Sequence, residues 1–171
     1  MSARRFTRGA LAATTVAAVG AATFALGQPS SQAAEADDTI TGRTAQESNV
    51  DVGRKGPSVG DRYVFSENLF SEKGTRIGRL AASCEINFVK RNSKGRPTDA
   101  LMQCLGTFRL TDGQITVQGA TWWSDKKIRL AITGGTGRYD GSSGNVEITD
   151  VNDKKSEYDF DFANTNRGVI P

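Results

Sequence analysis

Alternation of apolar and polar residues is the feature that most restricts the fold of this chain. After residue 60 the apolar side chains recur at every second position, whereas the spacing of an amphipathic helix is scarce. Such alternation is typical of a β-strand with one buried and one solvated face. Seven segments show it, and their apolar positions span Tyr63–Leu69, Leu80–Phe88, Met102–Leu110, Ile115–Gly119, Ile128–Ile132, Val146–Ile148 and Tyr158–Phe162.

Turn-forming residues separate these segments, so consecutive strands are expected to pair as antiparallel hairpins. A further short strand near Thr39–Arg43, followed by a polar loop over residues 44–59, brings the count to about eight. This pattern indicates an all-β domain, either an up-and-down β-barrel or a sandwich. A barrel would also remove the unpaired strand edges. The predicted connections are Asn92–Pro97, Asp112–Gly113, Ser124–Lys126 and Asn152–Asp153.

Residues 1–36 have the three parts of a secretory signal peptide. Three arginines form a basic start, Ala10–Gly27 is apolar and uncharged, and small residues lead to a cleavage site after Ala36 or Ala33. We expect a secreted protein, exported by the Sec or the twin-arginine route, with no stable membrane span after cleavage. A retained membrane anchor is the alternative.

The mature chain is predicted to be one domain after this cleavage. Residues 37–58 supply its first strand and polar loop, and residues 59–171 supply the rest of the barrel. The segment 1–36 carries three Arg and one Glu, so its removal lowers the formal net charge from +3 to +1. What remains contains no extended basic patch, and no nucleic-acid partner is expected.

The chain contains no histidine and only two cysteines. This composition excludes Ser-His-Asp and Cys-His catalysis, histidine-ligated metals and cysteine-rich zinc sites. Gly134–Arg138 lacks the Lys-Ser/Thr pair of a phosphate loop, and Asp150–Asp153 lacks the central Gly and final Glu of a calcium loop. We therefore expect neither a metal nor another cofactor.

The two cysteines lie on consecutive predicted strands, at equal distances from residue 94 in the Asn92–Pro97 loop. A hairpin around that loop places Cys84 opposite Cys104 and pairs Ile86 with Met102. In an exported protein this placement favours a disulfide. Closing this loop is expected to contribute about 3 kcal/mol. The alternative is a free Cys84 thiol acting in a pocket.

Three longer motifs resemble the plant allene oxide cyclase family. They are Gly60–Phe70, Gly113–Gly119 and Leu130–Gly141, and dirigent proteins share the Gly-Gly-Thr-Gly part of the last motif. The resemblance covers about residues 59–149. It implies an eight-stranded antiparallel up-and-down barrel of the allene oxide cyclase/dirigent type, with an elongated apolar cavity for a small apolar molecule. It also implies a homo-oligomer, since plant members are trimers.

The resemblance also places the family's site residues on this chain. Plant allene oxide cyclase closes a cyclopentenone ring from an unsaturated fatty-acid epoxide. Its cavity cysteine falls on Cys84, its water-holding asparagine on Glu67 and a cavity aromatic residue on Thr121. Its first-strand glutamate falls near Thr39, so the plant-type catalytic carboxylate is absent.

The remaining binding residues come from the alternation itself. Trp122 and Trp123 are neighbours on one predicted strand, so one indole faces inward and the other outward, and the register decides which. Inward-facing residues of the first long strand complete the set. The predicted ligand-binding residues are Tyr63, Phe65, Cys84, Thr121 and Trp123.

Glu67 is the one candidate acid or base for the cavity. It shares a face with the apolar residues Tyr63, Phe65 and Leu69. A carboxyl group there would be desolvated, which raises its pKa and suits it to acid–base catalysis. Alternatively the strand has already reached the rim of the barrel at this point, where Glu67 would be solvated.

Three classes of function follow from this sequence. The first is a cyclase or isomerase that orients a flexible apolar substrate and excludes water. The second is a dirigent-like or lipocalin-like binding barrel that makes no bond. The third is a secreted structural protein whose barrel is filled by large inward side chains. A ligand-sized cavity with a buried carboxyl group favours the first, a cavity without one the second, and no cavity the third. The large side chains expected inside are Phe88, Phe108, Tyr158, Phe160 and Phe162.

Overall fold

The computed structural model describes residues 39–163, and these residues form a closed eight-stranded barrel. The signal peptide expected over residues 1–36 lies outside the described residues, as does the C-terminal end of the predicted domain after residue 163. The strands are β1 (Thr39–Val50), β2 (Arg62–Phe70), β3 (Arg76–Arg91), β4 (Pro97–Leu110), β5 (Gly113–Trp122), β6 (Lys127–Gly137), β7 (Gly144–Asn152) and β8 (Lys155–Phe162).

Each strand pairs with its neighbour in sequence, and β8 pairs with β1 to close the sheet. All eight pairings are antiparallel, which confirms the up-and-down barrel and rules out the sandwich. The closing pair runs from Thr39 opposite Asp159 to Arg43 opposite Lys155. Closure gives every strand a hydrogen-bonded neighbour on both sides, so no strand is an edge strand of an open sheet.

The first strand is longer than the sequence predicted. β1 continues to Val50 and pairs with β2 up to Arg62, so the polar loop expected over residues 44–59 is reduced to residues 51–61. The prediction was wrong because all six residues from 45 to 50 are exposed and most of them are polar, so no apolar alternation marks this part of the strand. Backbone pairing, which leaves no trace in the side-chain pattern, extends this strand.

The shortened loop is held by one carboxylate. Asp61 accepts hydrogen bonds from the backbone amides of Val52 (2.7 Å) and Ser58 (2.8 Å). These amides lower the pKa of Asp61, because they stabilise its ionised form. The loop therefore has a defined conformation beside the strand ends.

The disulfide lies where the hairpin symmetry predicted it. Cys84 pairs directly with Cys104, Ile86 with Met102 and Leu80 with Phe108. The two cysteine sulfurs are bonded, and no free cysteine is present among residues 39–163. The alternative of a free Cys84 thiol is therefore contradicted by this structure.

Phe88 is an exception to the predicted inward face of β3. A β-bulge between Ile86 and Phe88 adds one residue to β3, so the alternation reverses and Phe88 is 52% exposed. On the outer face it meets Trp122 edge-on, with ring centroids 6.2 Å apart. The expectation that Phe88 fills the barrel was therefore wrong, whereas Phe108, Tyr158, Phe160 and Phe162 are buried as expected.

One end of the barrel is closed by the connection between β6 and β7. Tyr139, from this connection, is fully buried and belongs to the same core as Ile115 and Phe160. Gly135 makes this possible, because a Cβ atom there would lie 2.7 Å from the Tyr139 Cβ atom. The glycine-rich segment around Gly134 thus packs the closed end of the barrel, which is a structural role rather than a phosphate-binding one.

Loss of the disulfide is expected to weaken the barrel without opening it. The Cys84→Ala/Cys104→Ala double variant should lower the free energy of unfolding by about 3 kcal/mol, because a loop with a sequence separation of 20 residues is no longer closed in the unfolded state. Urea denaturation under non-reducing conditions measures this change. Leu105→Ala, an exposed neighbour of Cys104, should change the stability by less than about 1 kcal/mol. Equal stability of the double variant and the native chain would contradict the prediction.

Candidate functional site

The barrel contains an open cavity of about 1060 Å³. Its entrance lies at the end formed by the β1–β2, β5–β6 and β7–β8 connections, since residues from these turns line it. Strands β3 to β6 supply a wall of apolar side chains and the disulfide. The apolar lining includes Ile86, Met102, Val117, Ile128 and Leu130 together with Cys84 and Cys104.

Glu67 interrupts this apolar lining from the opposite side. It is 3% exposed, although its side chain belongs to the cavity wall. The hydroxyl group of Tyr158 donates a hydrogen bond of 2.8 Å to Glu67 Oε2. The structure therefore places Glu67 inside the barrel and excludes the solvated position at the rim.

Gly42 of β1 makes room for this pair. A Cβ atom at Gly42 would overlap Glu67 Oε2 and would lie 2.7 Å from the Tyr158 ring. Gly42 pairs with Ser156 across the strands that close the barrel. A glycine at the closing seam is thus what allows a carboxyl group and a phenol ring to meet there.

Ser156 connects Glu67 to a second carboxyl group. Its hydroxyl donates to Asp150 Oδ1 over 3.0 Å, and it also lies within hydrogen-bonding reach of Glu67. One serine hydroxyl carries one proton and cannot donate to two carboxylates at once. A proton on Glu67 removes this competition, because Ser156 then serves Asp150 alone.

Burial is the main cause that raises the pKa of Glu67. The hydrogen bond from Tyr158 opposes this rise, the charge of Asp150 adds to it, and Ser156 opposes it weakly, with a net upward direction. Burial and the neighbouring Glu67 also raise the pKa of Tyr158. Both groups therefore keep their protons to higher pH than their exposed counterparts and can act as hydrogen-bond donors in the cavity.

The described barrel matches a known protein family. The profile of the allene oxide cyclase barrel-like domain matches residues 38–163, which is nearly all of the described barrel. The chain belongs to this family. No curated protein sequence matches it significantly.

Solved structures with the same barrel have several chemistries in their names. A pyocyanin demethylase is 29% identical, with a TM-score of 0.60, and the match covers 70% of this chain and 95% of that chain. The exo-specific intermolecular Diels-Alderase AbnU is 18% identical, with a TM-score of 0.58, covering 72% and 91%. A pterocarpan synthase dirigent protein is 14% identical, with a TM-score of 0.52, covering 71% and 79%. At these last two identities the likeness concerns the fold alone.

Three of the predicted binding residues of this allene oxide cyclase-like barrel line the cavity. Tyr63 and Phe65 stack with ring centroids 5.0 Å apart, and both belong to the lining. The Tyr63 hydroxyl donates to Glu47 (2.9 Å), and burial together with Glu47 raises the pKa of Tyr63 to about 12. Cys84 also belongs to the lining, as part of the disulfide.

The other two predicted residues lie at the entrance of the cavity or behind its wall. Trp123 follows the end of β5, is 61% exposed and contributes to the rim. Thr121 is buried but is not among the lining residues, because its hydroxyl is bonded to Asp125 (3.0 Å) in the β5–β6 turn. Trp122 meets Phe88 edge-on and, like Trp123, is among the residues that line the cavity.

The sequence analysis missed three members of the site. The sequence predicts Tyr158 only as a large side chain inside the barrel, and it gives no role to Ser156 or Gly42. The spacing of Ser156 and Tyr158 offered a signal, because positions two apart on a strand share a face. Gly42 carried no such signal, since its role depends on which strand closes the barrel.

The described part of the chain shows neither of two other features. Residues 39–163 contain no helix long and apolar enough to cross a membrane. Within the same range, no group of three or more Cys, Asp or Glu side chains is arranged to hold a metal ion.

Filling the space above Gly42 is expected to disrupt the Glu67–Tyr158 pair. Gly42→Ala should lower the free energy of unfolding by at least about 2 kcal/mol, because the new methyl group overlaps a buried carboxyl group. Gly106→Ala is the matched control, since it also points inward but its Cβ would lie 3.3 Å from the nearest atom. Urea denaturation of both variants measures the difference. Equal losses in the two variants would contradict the role assigned to Gly42.

The raised pKa of Glu67 predicts how stability depends on pH. Above the ordinary value of 4.5, the folded chain still holds a proton on Glu67 that the unfolded chain has lost. This group therefore makes the free energy of unfolding fall as pH rises through that range. Glu67→Gln removes the titration, so its stability relative to the native chain should increase with pH.

Urea denaturation of both chains at a series of pH values measures this trend. Glu147→Gln is the control with the opposite sign, because Lys127 lowers the pKa of the exposed Glu147. Parallel pH profiles for the native chain and Glu67→Gln would show that Glu67 titrates normally.

Proposed function

We propose that this barrel binds a small, largely apolar molecule in its cavity and steers the cyclisation or isomerisation of that molecule. The observation that carries the proposal is the combination of a ligand-sized cavity with one buried carboxyl group in its wall. The solved barrels named as a Diels-Alderase and as a dirigent pterocarpan synthase support a fold that accommodates such chemistry. Export from the cell and assembly into a trimer, both expected from the sequence, belong to the same proposal.

The apolar wall and Glu67 have separate tasks in this mechanism. The wall formed by Met102, Leu130 and the disulfide confines the substrate and excludes water. Because the bound substrate is already confined, it loses less conformational entropy when the ring closes. Protonated Glu67 lends its proton to a substrate oxygen as charge develops there. The same group recovers a proton when the product forms, so an isomerisation leaves the enzyme unchanged.

Tyr158 assists this proton transfer through its hydrogen bond to Glu67. Its hydroxyl donates to Glu67 Oε2, which fixes the orientation of the carboxyl group and stabilises the carboxylate left after proton transfer. Cys84 has no part in proton transfer, since its sulfur is bonded to Cys104. The plant reaction is not proposed, because the resemblance places the plant enzyme's first-strand glutamate near Thr39, where this chain has no carboxyl group.

Two other functions compete with this one. A binding barrel without bond making fits the same cavity, whereas a barrel filled by its own side chains does not fit an open volume of about 1060 Å³. Demethylation of a small aromatic molecule is the second candidate, favoured by the 29% identity to a pyocyanin demethylase over 95% of that protein.

Changes in mass separate these candidates in one experiment. The purified protein is incubated with a small-molecule extract of its host, and liquid chromatography with mass spectrometry follows every compound. Cyclisation or isomerisation gives a product of unchanged mass and altered retention time. Demethylation gives a product lighter by one methylene group, and pure binding depletes a compound in proportion to protein without forming a product.

Variants of the cavity test the role of the carboxyl group in the same assay. Glu67→Gln should lower the rate of product formation about a hundredfold, because it keeps the shape and removes the proton donor. Tyr158→Phe should lower the rate about tenfold. Glu147→Gln, on the outer face of β7, should leave the rate unchanged. A Glu67→Gln variant with the native rate would leave orientation alone as the basis of any catalysis and would contradict the acid role.

A further inference from the structure

The cavity is acidic, although the chain as a whole carries a formal net charge of +3. Seven carboxyl groups and three basic side chains line it, so its formal charge is −4, or −3 when Glu67 is protonated. Five of the seven carboxyl groups are aspartates, whose short side chains keep their charge close to the backbone at the entrance. A cleft with low-dielectric walls and charges of one sign focuses their field on whatever enters.

Only one of the three basic side chains is paired with a carboxylate of the lining itself. Lys154 is paired with Glu47 over 3.1 Å. Lys155 and Arg62 are paired with Glu157 (2.8 Å) and Glu85 (3.9 Å), which both lie outside the lining. All three cations are therefore paired with carboxylates, and only Glu47 among these belongs to the lining. The other six carboxyl groups of the lining have no ion-pair partner among residues 39–163.

Asp150 has the position that matters most among these acids. It lies on β7 opposite Ser156, whose hydroxyl group donates a hydrogen bond of 3.0 Å to Asp150 Oδ1. Its charge reaches Glu67, Tyr158 and Tyr63 strongly enough to influence all three. No ion pair within residues 39–163 involves Asp150.

We propose that the molecule bound in this cavity carries a positive charge, and that its cationic centre lies beside Asp150 while its apolar body extends past Glu67 to the disulfide wall. This inference rests on the proposed function, which it deepens by naming the charge class of the substrate. The cavity is the binding site, and its charged side chains determine which molecules bind there. An aromatic or alkyl cation matches both halves of the cavity, because it joins a positive centre to a surface that is favourably removed from water.

The same arrangement disfavours anions. A fatty-acid carboxylate entering this cavity would approach Asp150 and Glu67 with no basic side chain positioned to receive it. Like charges at such separations repel, and desolvation in the cavity adds to the cost. The class of substrate thus differs from the fatty-acid epoxide of the plant enzyme, in keeping with the loss of that enzyme's first-strand glutamate.

Three aromatic probes of one size test the inference. They are 10-methylacridinium as the cation, acridine as the neutral molecule and acridine-9-carboxylate as the anion, all at a slightly alkaline pH where acridine is neutral. Binding to the disulfide-bonded mature protein is measured by probe fluorescence at low ionic strength. We expect the cation to bind at least about tenfold more tightly than acridine, and the carboxylate to bind more weakly than acridine.

Two aspartate variants locate the source of the preference. Asp150→Asn should weaken binding of the cation about fivefold to tenfold and leave binding of acridine unchanged. Asp159→Asn makes the same change of charge on the exposed outer face of β8 and should alter neither. Equal losses in both variants would show a diffuse effect of net charge and would overturn the placement beside Asp150.

The outcomes separate this inference from the proposed function. If acridine binds as tightly as the cation, the charge preference is wrong while the binding cavity stands. If the carboxylate binds most tightly, the inference is reversed. If none of the three probes binds, the inference fails, whereas the proposed function is decided separately by the assay with the small-molecule extract.

Discussion

Closure of the sheet between β1 and β8 is the constraint on which the rest of this molecule depends. A closed barrel needs an inner face that eight strands fill together, and the space left over becomes the cavity. The closing pair also brings Gly42 next to Ser156 and Ile40 next to Tyr158. The first and last parts of the chain thereby form one wall, and the polar cluster around Glu67 exists only because these two strands meet.

The cavity has two chemically different sides as a result. Strands β3 to β6 contribute aliphatic side chains and the disulfide, whereas β1, β2, β7 and β8 contribute Glu67, Ser156, Tyr158 and Asp150. A buried carboxyl group costs folding free energy unless hydrogen bonds compensate for its lost hydration. The hydroxyl groups of Tyr158 and Ser156 supply that compensation without a cation, and so they hold Glu67 in place without forcing it to ionise.

Most of the architecture could be predicted from the sequence, because a barrel strand shows its inner face directly as alternation. The pairing of Cys84 with Cys104 followed from one loop and the symmetry of a hairpin. Alternation placed Glu67 on the same face as Tyr63 and Phe65, but it left open whether the strand had already reached the rim there. Two features could not be predicted. Phe88 turns outward because a bulge inserts one residue, and β1 extends to Val50 through backbone pairing that polar side chains do not reveal. The partner of Glu67 could not be predicted either. Its hydrogen bond with Tyr158 joins residues 91 positions apart in the chain, and no local sequence pattern encodes such a contact.

The buried Tyr139 fills the end of the barrel opposite the entrance, so the cavity opens at one end. Whatever enters between the turns near Trp123 and Asp150 has to leave by the same route, so a new substrate cannot bind until the previous product has departed. A long chain cannot pass through a barrel that is closed at one end, and the volume of about 1060 Å³ sets an upper limit on the size of the guest. Tyr139, which completes the hydrophobic core, therefore also restricts entry and exit to one end of the barrel. This restriction ties the rate of any turnover to the rate of product release.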